Sequence, residues 1–320
     1  MWKTIVRRFL ILIPQLFVLS LIIFLLAQAM PGDALTGLVD PNMSAEDIAH
    51  LRQVHGLDRP WYEQYVDWMG NLLRGDLGRS WRYRMPVTDV ISIRAANTFR
   101  LALVTIIFTF LLAIPAGVIA AKYQDKLVDR GIIFYTFFAM SMPTVILALI
   151  NLVVFGFTLG WFPIQGSVAV EAVSGTFEYF LSRIQHLILP ALTGALLSTT
   201  TIINLLRSEV IDCENSEYVI TARAKGVPSR VVYSRHILKN ASLPIVTSVA
   251  FIAPSLLTGA IFVERIFMFP GMGNLFITAI LDRDFAIVNG LIIIFAIVTI
   301  ASILLADVLM MLVDPRIRIE

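Results

Sequence analysis

The residues best suited to nucleophilic, acid–base or metal chemistry are four histidines, His50, His55, His186 and His236, and a single cysteine, Cys213, and their spacing organises none of that chemistry. There is no His-Glu-x-x-His pair, no Gly-x-Ser-x-Gly elbow and no Gly-x-x-x-x-Gly-Lys-Ser/Thr phosphate loop. One thiol makes neither an internal disulfide nor a cysteine metal cluster. The sequence therefore offers no catalytic residue, no cofactor site and no metal site, and an intramembrane enzyme would lack the paired groups it needs.

The elements that would have to position any functional residue are set by the solvent. Of 320 residues 58% are hydrophobic and 15% charged, with a mean hydropathy of +0.80, which is more apolar surface than a soluble domain of this length can hide. Several stretches reach the roughly 20 apolar residues that a helix needs to cross a hydrocarbon core of about 30 Å. The net charge is only +2 and basic residues are interspersed with acids, so no nucleic-acid partner is expected. Carriers coupled to protons or ions place Asp, Glu or His at membrane depth, and these apolar runs hold almost none. Asp307 is the exception, read either as paired or hydrated near the inner end of the last span or as part of a translocation path. Asn151, Asn204 and Asn289 are read as hydrogen-bond partners between helices. A pore so poor in ionisable groups needs an external motor.

Six spans are predicted, near residues 9–30, 101–121, 131–160, 187–206, 244–263 and 285–313, each bounded by charge, Pro or Gly. Lys3, Arg7 and Arg8 precede the first and hold its N-terminus on the cytoplasmic side. Ala27-Gln28-Ala29 has the small-x-small form of a signal-peptidase site, but an h-region runs only about 7–15 residues, so the first run is read as retained. The polar segment 31–97 lies outside the membrane; segments beyond about 60 residues are translocated largely regardless of their basic residues. Within it Ser44-x-x-Asp47 can cap a short helix and Trp61 to Leu73 has helical apolar spacing, so small surface helices are predicted. Short loops set the orientation: 122–130 carries Lys122, Lys126 and Arg130, and 207–243 carries six basic residues, against one in 161–186 and two in 264–284. The expected organisation is an N-terminal span with its external segment (1–97), a five-helix core (98–313) with a cytoplasmic loop (207–243), and a tail (314–320), both termini being cytoplasmic.

The cytoplasmic loop contains a further short helix. Ser216 or Asn215 can cap a helix from Glu217 to Lys225, Glu217 and Lys225 complement its dipole, Gly226 ends it and Pro228 stops it. Val219, Ala222 and Gly226 share one face, where small residues would let another protein approach the backbone. A helix lying along lipid headgroups is the alternative.

The run Thr221-Ala-Arg-Ala-Lys-Gly226, followed by His236, Asn240 and Pro244, resembles the EAA loop of bacterial ABC importer permeases, and more narrowly their dipeptide/oligopeptide branch. The likeness extends along the chain in order: Pro31-Gly32-Asp33, Gly56-Leu-Asp, Gly75-Asp-Leu-Gly-Arg-Ser80, Glu264-x-Ile-Phe-x-x-Pro-Gly-x-Gly273 and Asp314-Pro-Arg-Ile-Arg318. Thr221-Ala222 stand where the generic pattern has two alanines, and the stretch to Pro244 is longer than in that pattern.

The resemblance implies an all-α integral membrane protein of the type I ABC importer permease fold in the bacterial cytoplasmic (inner) membrane. It implies pairing with a second homologous permease, two ATPase subunits that carry the ATP and Mg, and an extracytoplasmic peptide-binding protein. By the same resemblance Glu217, Thr221, Ala222, Ala224 and Gly226, with His236, Asn240 and Pro244, form the ATPase-coupling loop. Glu264, Pro270, Gly271 and Gly273 form either a turn where the binding protein docks or a plain connection between spans. The cargo expected is short peptides. Nickel chelates or glutathione carried by the same machinery, and a stand-alone channel or scaffold, are the competing readings.

Overall fold

The computed structural model describes residues 2–29, 43–54, 58–242, 244–245, 248 and 260–313. A chain whose solvent is lipid must satisfy its backbone within each segment, and helices do so. In order they are α1 (Trp2–Ala29), α2 (Ala45–Val54), α3 (Trp61–Leu73), α4 (Val87–Lys122), α5 (Leu127–Ser141) and α6 (Thr144–Asn151), the last running into a π-helical stretch over Leu152–Thr158. Then come α7 (Phe177–Glu214), α8 (Glu217–Ala224) and α9 (Ser229–Val231), which continues through a π stretch, Val232–Ile237, into α10 (Leu238–Ala241). The chain ends with α11 (Ile261–Ile266), α12 (Met272–Leu281) and α13 (Phe285–Val313). Among the described residues the one β-type pairing is an isolated bridge between Arg79 and Pro86.

Three helices, α4, α7 and α13, are long and apolar enough to cross a membrane, and α5 with α6, bent by 109° between them, is apolar enough to make either one broken span or a re-entrant loop. The apolar stretch Pro14–Leu26 inside α1 is shorter, and most of the predicted span 244–263 lies outside the described residues. The protein is a multi-pass membrane protein, and among the described residues helices long and apolar enough to cross stand at three of the six predicted places, with the bent α5–α6 pair at a fourth.

Two expectations about the spans are corrected. Residues 131–160 do not form one straight helix: Pro143 disfavours helical geometry at the residue before it, Met142 turns extended (φ −90°, ψ 122°), and α6 restarts at Thr144. The spans 101–121 and 187–206 are the middles of longer helices. Thus α4 begins inside the segment read as external, and α7 takes in residues of both flanking loops. Charges mark where lipid ends, but a helix stops only at a cap or breaker. For α7 these are Thr176, whose Oγ1 accepts from the Tyr179 N–H at 3.2 Å, and Asn215.

The longest helix, α7, is also the most buried of the crossings and packs along α4 through small residues. A Cβ on Gly117 would lie 3.0 Å from the Leu206 Cβ, and one on Gly194 3.1 Å from the Thr105 Cγ2. Close backbone approach of this kind substitutes for hydrophobic drive between helices in lipid. Polar bridges fix the bent α5–α6 pair to α7: Asn151 Nδ2 donates to Thr193 Oγ1 at 3.0 Å, Thr136 Oγ1 to Asn204 Oδ1 at 3.3 Å, and the Tyr135 hydroxyl to the Leu196 carbonyl at 2.8 Å. Asn151 and Asn204 therefore act between helices, as their positions suggested.

Candidate functional site

At the end expected to face the cytoplasm, the inner end, α8 lies just beyond α7. Ser216 occupies its N-cap position, but its hydroxyl donates back to the Cys213 carbonyl, and Asn215 Nδ2 donates to the Ile211 carbonyl at 3.0 Å. Neither side chain caps α8, which corrects the capping expectation: both are taken up by the last turn of α7, only two residues away. The C-terminus closes as expected. Gly226 is left-handed (φ +74°), its N–H donates to the Arg223 carbonyl at 3.0 Å, and the Val227 N–H donates to the Ala222 carbonyl at 3.2 Å. A Cβ on Gly226 would meet nothing within 4 Å, so the glycine is needed for its dihedral angle and not for space.

The face of α8 expected to receive a partner is turned inward. Val219 and Ala222 are buried in a cluster with Leu206 and Val210 of α7 and with Val232 and Ile237. The small-residue face serves the chain's own packing, because α8 is too short to hold its position without an apolar anchor. What α8 presents outward is Glu217, Tyr218, Ile220, Thr221, Arg223, Ala224 and the exposed Gly226. Arg223 pairs with Glu214 at the end of α7. His236 and Pro244 are half-buried, and Asn240 is exposed, its Nδ2 donating to the His236 carbonyl at 3.0 Å.

One interaction beneath α8 was not anticipated. Arg207 of α7 donates through Nε and Nη2 to the two carboxylate oxygens of Asp129 on the first turn of α5, both at 2.7 Å. The Asp129 side chain is 3% exposed and that of Arg207 24%. The Asp125 N–H also donates to Asp129, at 2.9 Å, and Asp125 is left-handed (φ +63°). A forked, charge-assisted pair of this kind is geometrically specific, and it ties the short inner loop before α5 to the helix that carries α8. The only signal in the sequence was an acid and a base at the edges of two apolar runs, 78 residues apart.

The opposite end, expected to face outward, is built differently. Glu264 of α11 is fully buried (0% exposed). Its Oε1 accepts from the Thr98 hydroxyl at 2.7 Å and its Oε2 from the Asn274 N–H at 3.0 Å, while Thr98 Oγ1 accepts from the Met272 N–H at 2.8 Å. Asn97 Nδ2 donates to the Pro270 carbonyl at 3.0 Å. A Cβ on Gly271 would stand 2.1 Å from a Glu264 carboxylate oxygen, and one on Gly273 2.7 Å from the Ile261 Cα. The turn of Glu264, Pro270, Gly271 and Gly273 is thus closely packed within the chain. Glu264, Gly271 and Gly273 are buried and Pro270 half-buried, because the glycines let the turn close over the carboxylate. Arg265 and Met268 are the residues it exposes.

A second lock lies beside it. Ser80 Oγ donates to the buried Asp284, whose other oxygen accepts from the Ile287 N–H at 3.3 Å at the start of α13. Arg82 Nε lies 2.8 Å from Asp282 Oδ2. The motif Gly75 to Ser80 makes the tight approach possible: Gly75 and Gly78 are left-handed, and Asp76 Oδ1 accepts from the Gly78 N–H at 2.8 Å.

This arrangement, an exposed short helix on an inner loop and a hydrogen-bonded outer cap, suits a subunit that is moved by partners more than one that reacts. Residues 113–319 match the model of the binding-protein-dependent transport system inner membrane component, and residues 1–102 match the N-terminal membrane component of the same systems. The chain belongs to this family. The permease is 38% identical over 315 residues, 98% of each chain, to the oligopeptide transport system permease protein AppB of Bacillus subtilis. It is 35% identical to the di/tripeptide transport system permease protein DppB of Pseudomonas aeruginosa, over 99% of each chain. It is 33% identical, again over 99% of each, to the glutathione transport system permease protein GsiC of Escherichia coli. In fold the permease resembles a chain of the MetNI methionine ABC transporter in inward-facing conformations, with a TM-score of 0.55 over 71% of this chain and 97% of that one at 14% identity. The permease is thus a transport subunit of an ABC importer and not an enzyme. Of the residues singled out in the sequence, the side chain of Asp307 lies outside the described residues, as do Pro31-Gly32-Asp33, Gly56 and residues 314–318.

Proposed function

We propose that the permease moves short peptides into the cytoplasm. The observation that carries this reading is the end-to-end identity to relatives named for oligopeptide and di/tripeptide transport. It pairs with a second homologous permease, two ATPase subunits take up the outward side of α8, and an extracytoplasmic peptide-binding protein delivers cargo at the α11–α12 cap. ATP and Mg reside on the ATPase subunits, this chain carrying no cofactor of its own. Six spans leave both termini in the cytoplasm, in accord with the basic residues of the 122–130 and 207–243 loops.

Motion follows from the anchoring of α8. A nucleotide-driven shift of an ATPase cleft that holds Glu217, Thr221, Ala224 and Gly226 would carry Val219 and Ala222 with it, and through them the inner halves of α7 and the 229–241 helix. Glutathione is the second reading, favoured by the 33% identity to GsiC.

The deciding experiment is purification of the tagged permease from gentle detergent, identification of co-purifying chains, and transport into proteoliposomes. ATP-dependent uptake of labelled di- to pentapeptides is expected, with glutathione competing weakly. A lone chain without associated ATPase activity would overturn the assembly, and uptake of glutathione but no other peptide would replace the cargo.

A further inference from the structure

Helix α3 was expected on the aqueous outer surface, and its contacts place it lower. At roughly 100° per residue, its apolar residues Trp61, Tyr62, Tyr65, Val66, Trp68, Met69, Leu72 and Leu73 fill one arc, and Glu63, Gln64, Asp67, Asn71 and Arg74 fill the opposite one. Only part of the apolar arc is used inside the protein. Tyr65 is buried, its hydroxyl 2.9 Å from Ser20 Oγ of α1, and its ring packs against Phe17 and Phe24; Trp68 packs against Phe24. Tyr62, Val66 and Leu73 remain 54%, 66% and 81% exposed.

The level of α3 can be read off α1. Gln64, on the polar arc, meets Gln28 of α1 at 3.2 Å, whereas Tyr65 meets Ser20, eight residues deeper in the apolar run. Eight residues of helix rise about 12 Å, the diameter of a helix with its side chains. Helix α3 thus lies across α1 with its polar edge level with the outer end of the span and its apolar edge level with the middle of it. Tyr62, Val66 and Leu73 lie about 180° around α3 from Gln64, so they point toward the membrane interior. At the same level along α1, Val18, Ile22, Leu25 and Leu26 are likewise exposed apolar residues.

We infer that α3 is seated in the outer leaflet of the bilayer, with the Tyr62, Val66 and Leu73 strip in the acyl region and Glu63, Asp67 and Asn71 in water. The chemistry fits: aromatic residues concentrate at membrane–water interfaces, and a helix with segregated faces lies flat there. The occupant of the strip is lipid, because the strip lies at the level of the apolar run of α1, whose own exposed side there is apolar, and below the end of α1 marked by Gln28. Helix α3 then sets the height of α1 in the membrane and so the level of the outer cap.

The test uses the full chain carrying Cys213→Ser, with nitroxide labels at Val66→Cys or Leu73→Cys and at Asp67→Cys or Asn71→Cys as opposite-edge controls. The four positions lie on exposed sites; Asp67→Cys removes an exposed ion pair with Arg59, so Asn71→Cys is the control that leaves it in place. In phosphatidylcholine–phosphatidylglycerol liposomes, with a water-soluble nickel chelate on both sides, collision with nickel should be roughly tenfold lower at positions 66 and 73 than at 67 and 71, with oxygen dominating, as expected for a polar reagent excluded from hydrocarbon. Equal nickel access at all four would overturn the inference. So would shielding of 66 and 73 that appears only when the other transporter subunits are added, since a protein would then cover the strip.

Discussion

The two ends of the permease are held by different kinds of interaction. The outer cap is a network of buried hydrogen bonds centred on two carboxylates, Glu264 and Asp284, that draw α4, α11, α12 and α13 together. The inner α8 is held by two buried apolar side chains and one half-exposed ion pair, Arg223 with Glu214. Leaving a buried polar group without its partner costs about 1–3 kcal/mol, more if charged, whereas an exposed ion pair contributes about 0–1 kcal/mol. The cap therefore resists deformation through directional bonds, whereas α8 is held mainly by non-directional apolar packing and moves together with the helices it packs on.

The comparison breaks first at the cap. Gly271→Ala drives a methyl into the Glu264 carboxylate, and overpacking plus loss of hydrogen bonds should cost about 3 kcal/mol or more. A melting curve of the purified protein should fall sharply, and an unchanged curve would mean the turn is looser than the geometry shows. The next largest effect is at the Asp129–Arg207 clamp. Asp129→Ala leaves Arg207 partly buried and unpaired, and because Arg207 retains some water the loss should be about 2 kcal/mol, below that of a fully buried pair. Combining it with Arg207→Ala should recover part of that loss in a double-mutant cycle; strict additivity would show the two side chains to be uncoupled.

At α8 the structural cost is smaller and the functional one greater. Gly226→Trp forces a side chain into left-handed backbone at about 1–2 kcal/mol, and its indole enters open space. Melting should shift slightly while transport is lost in an assembled complex. Normal transport by that complex would remove Gly226 from the coupling surface.

The smallest effect is on α2. Asp47 Oδ2 accepts from the Ser44 hydroxyl at 2.7 Å and from the Ser44 N–H, which hold its carboxyl below the ordinary aspartate range. A depressed pKa means that this support is complete above the unfolded value and fades as pH falls through the folded one. The protection of amides in the first turn of α2, taken relative to their intrinsic exchange rate at each pH, should therefore fall on acidification below the usual carboxylate range. Ser44→Ala should flatten that dependence; a profile unchanged by Ser44→Ala would assign it elsewhere.

Where the sequence was legible, the signal was local. Ser44-x-x-Asp47 and the spacing of Trp61–Leu73 marked α2 and α3, and the Glu217–Gly226 stretch is a helix that ends on its glycine. The bend at Met142–Pro143 was also legible in principle, since a proline restricts the residue before it, but the unbroken hydropathy of 131–160 hid it. The direction a helix face turns was not legible. Val219 and Ala222 read as small residues open to a partner, and they pack on Leu206 and Val210.

By itself, the sequence determined the solvent, the helical class, the absence of a recognised catalytic motif and the short inner helix, because composition, periodicity and Gly–Pro punctuation act over a few residues at a time. Only the tertiary structure decided that Glu264 is a buried fastener, that Asp129 meets Arg207, and that α3 crosses α1 at the level of Ser20 and Gln28. Those outcomes depend on which distant groups share the same low-dielectric space. A charge or an aromatic face finds its partner there through packing over tens to hundreds of residues, at a range that no local pattern records.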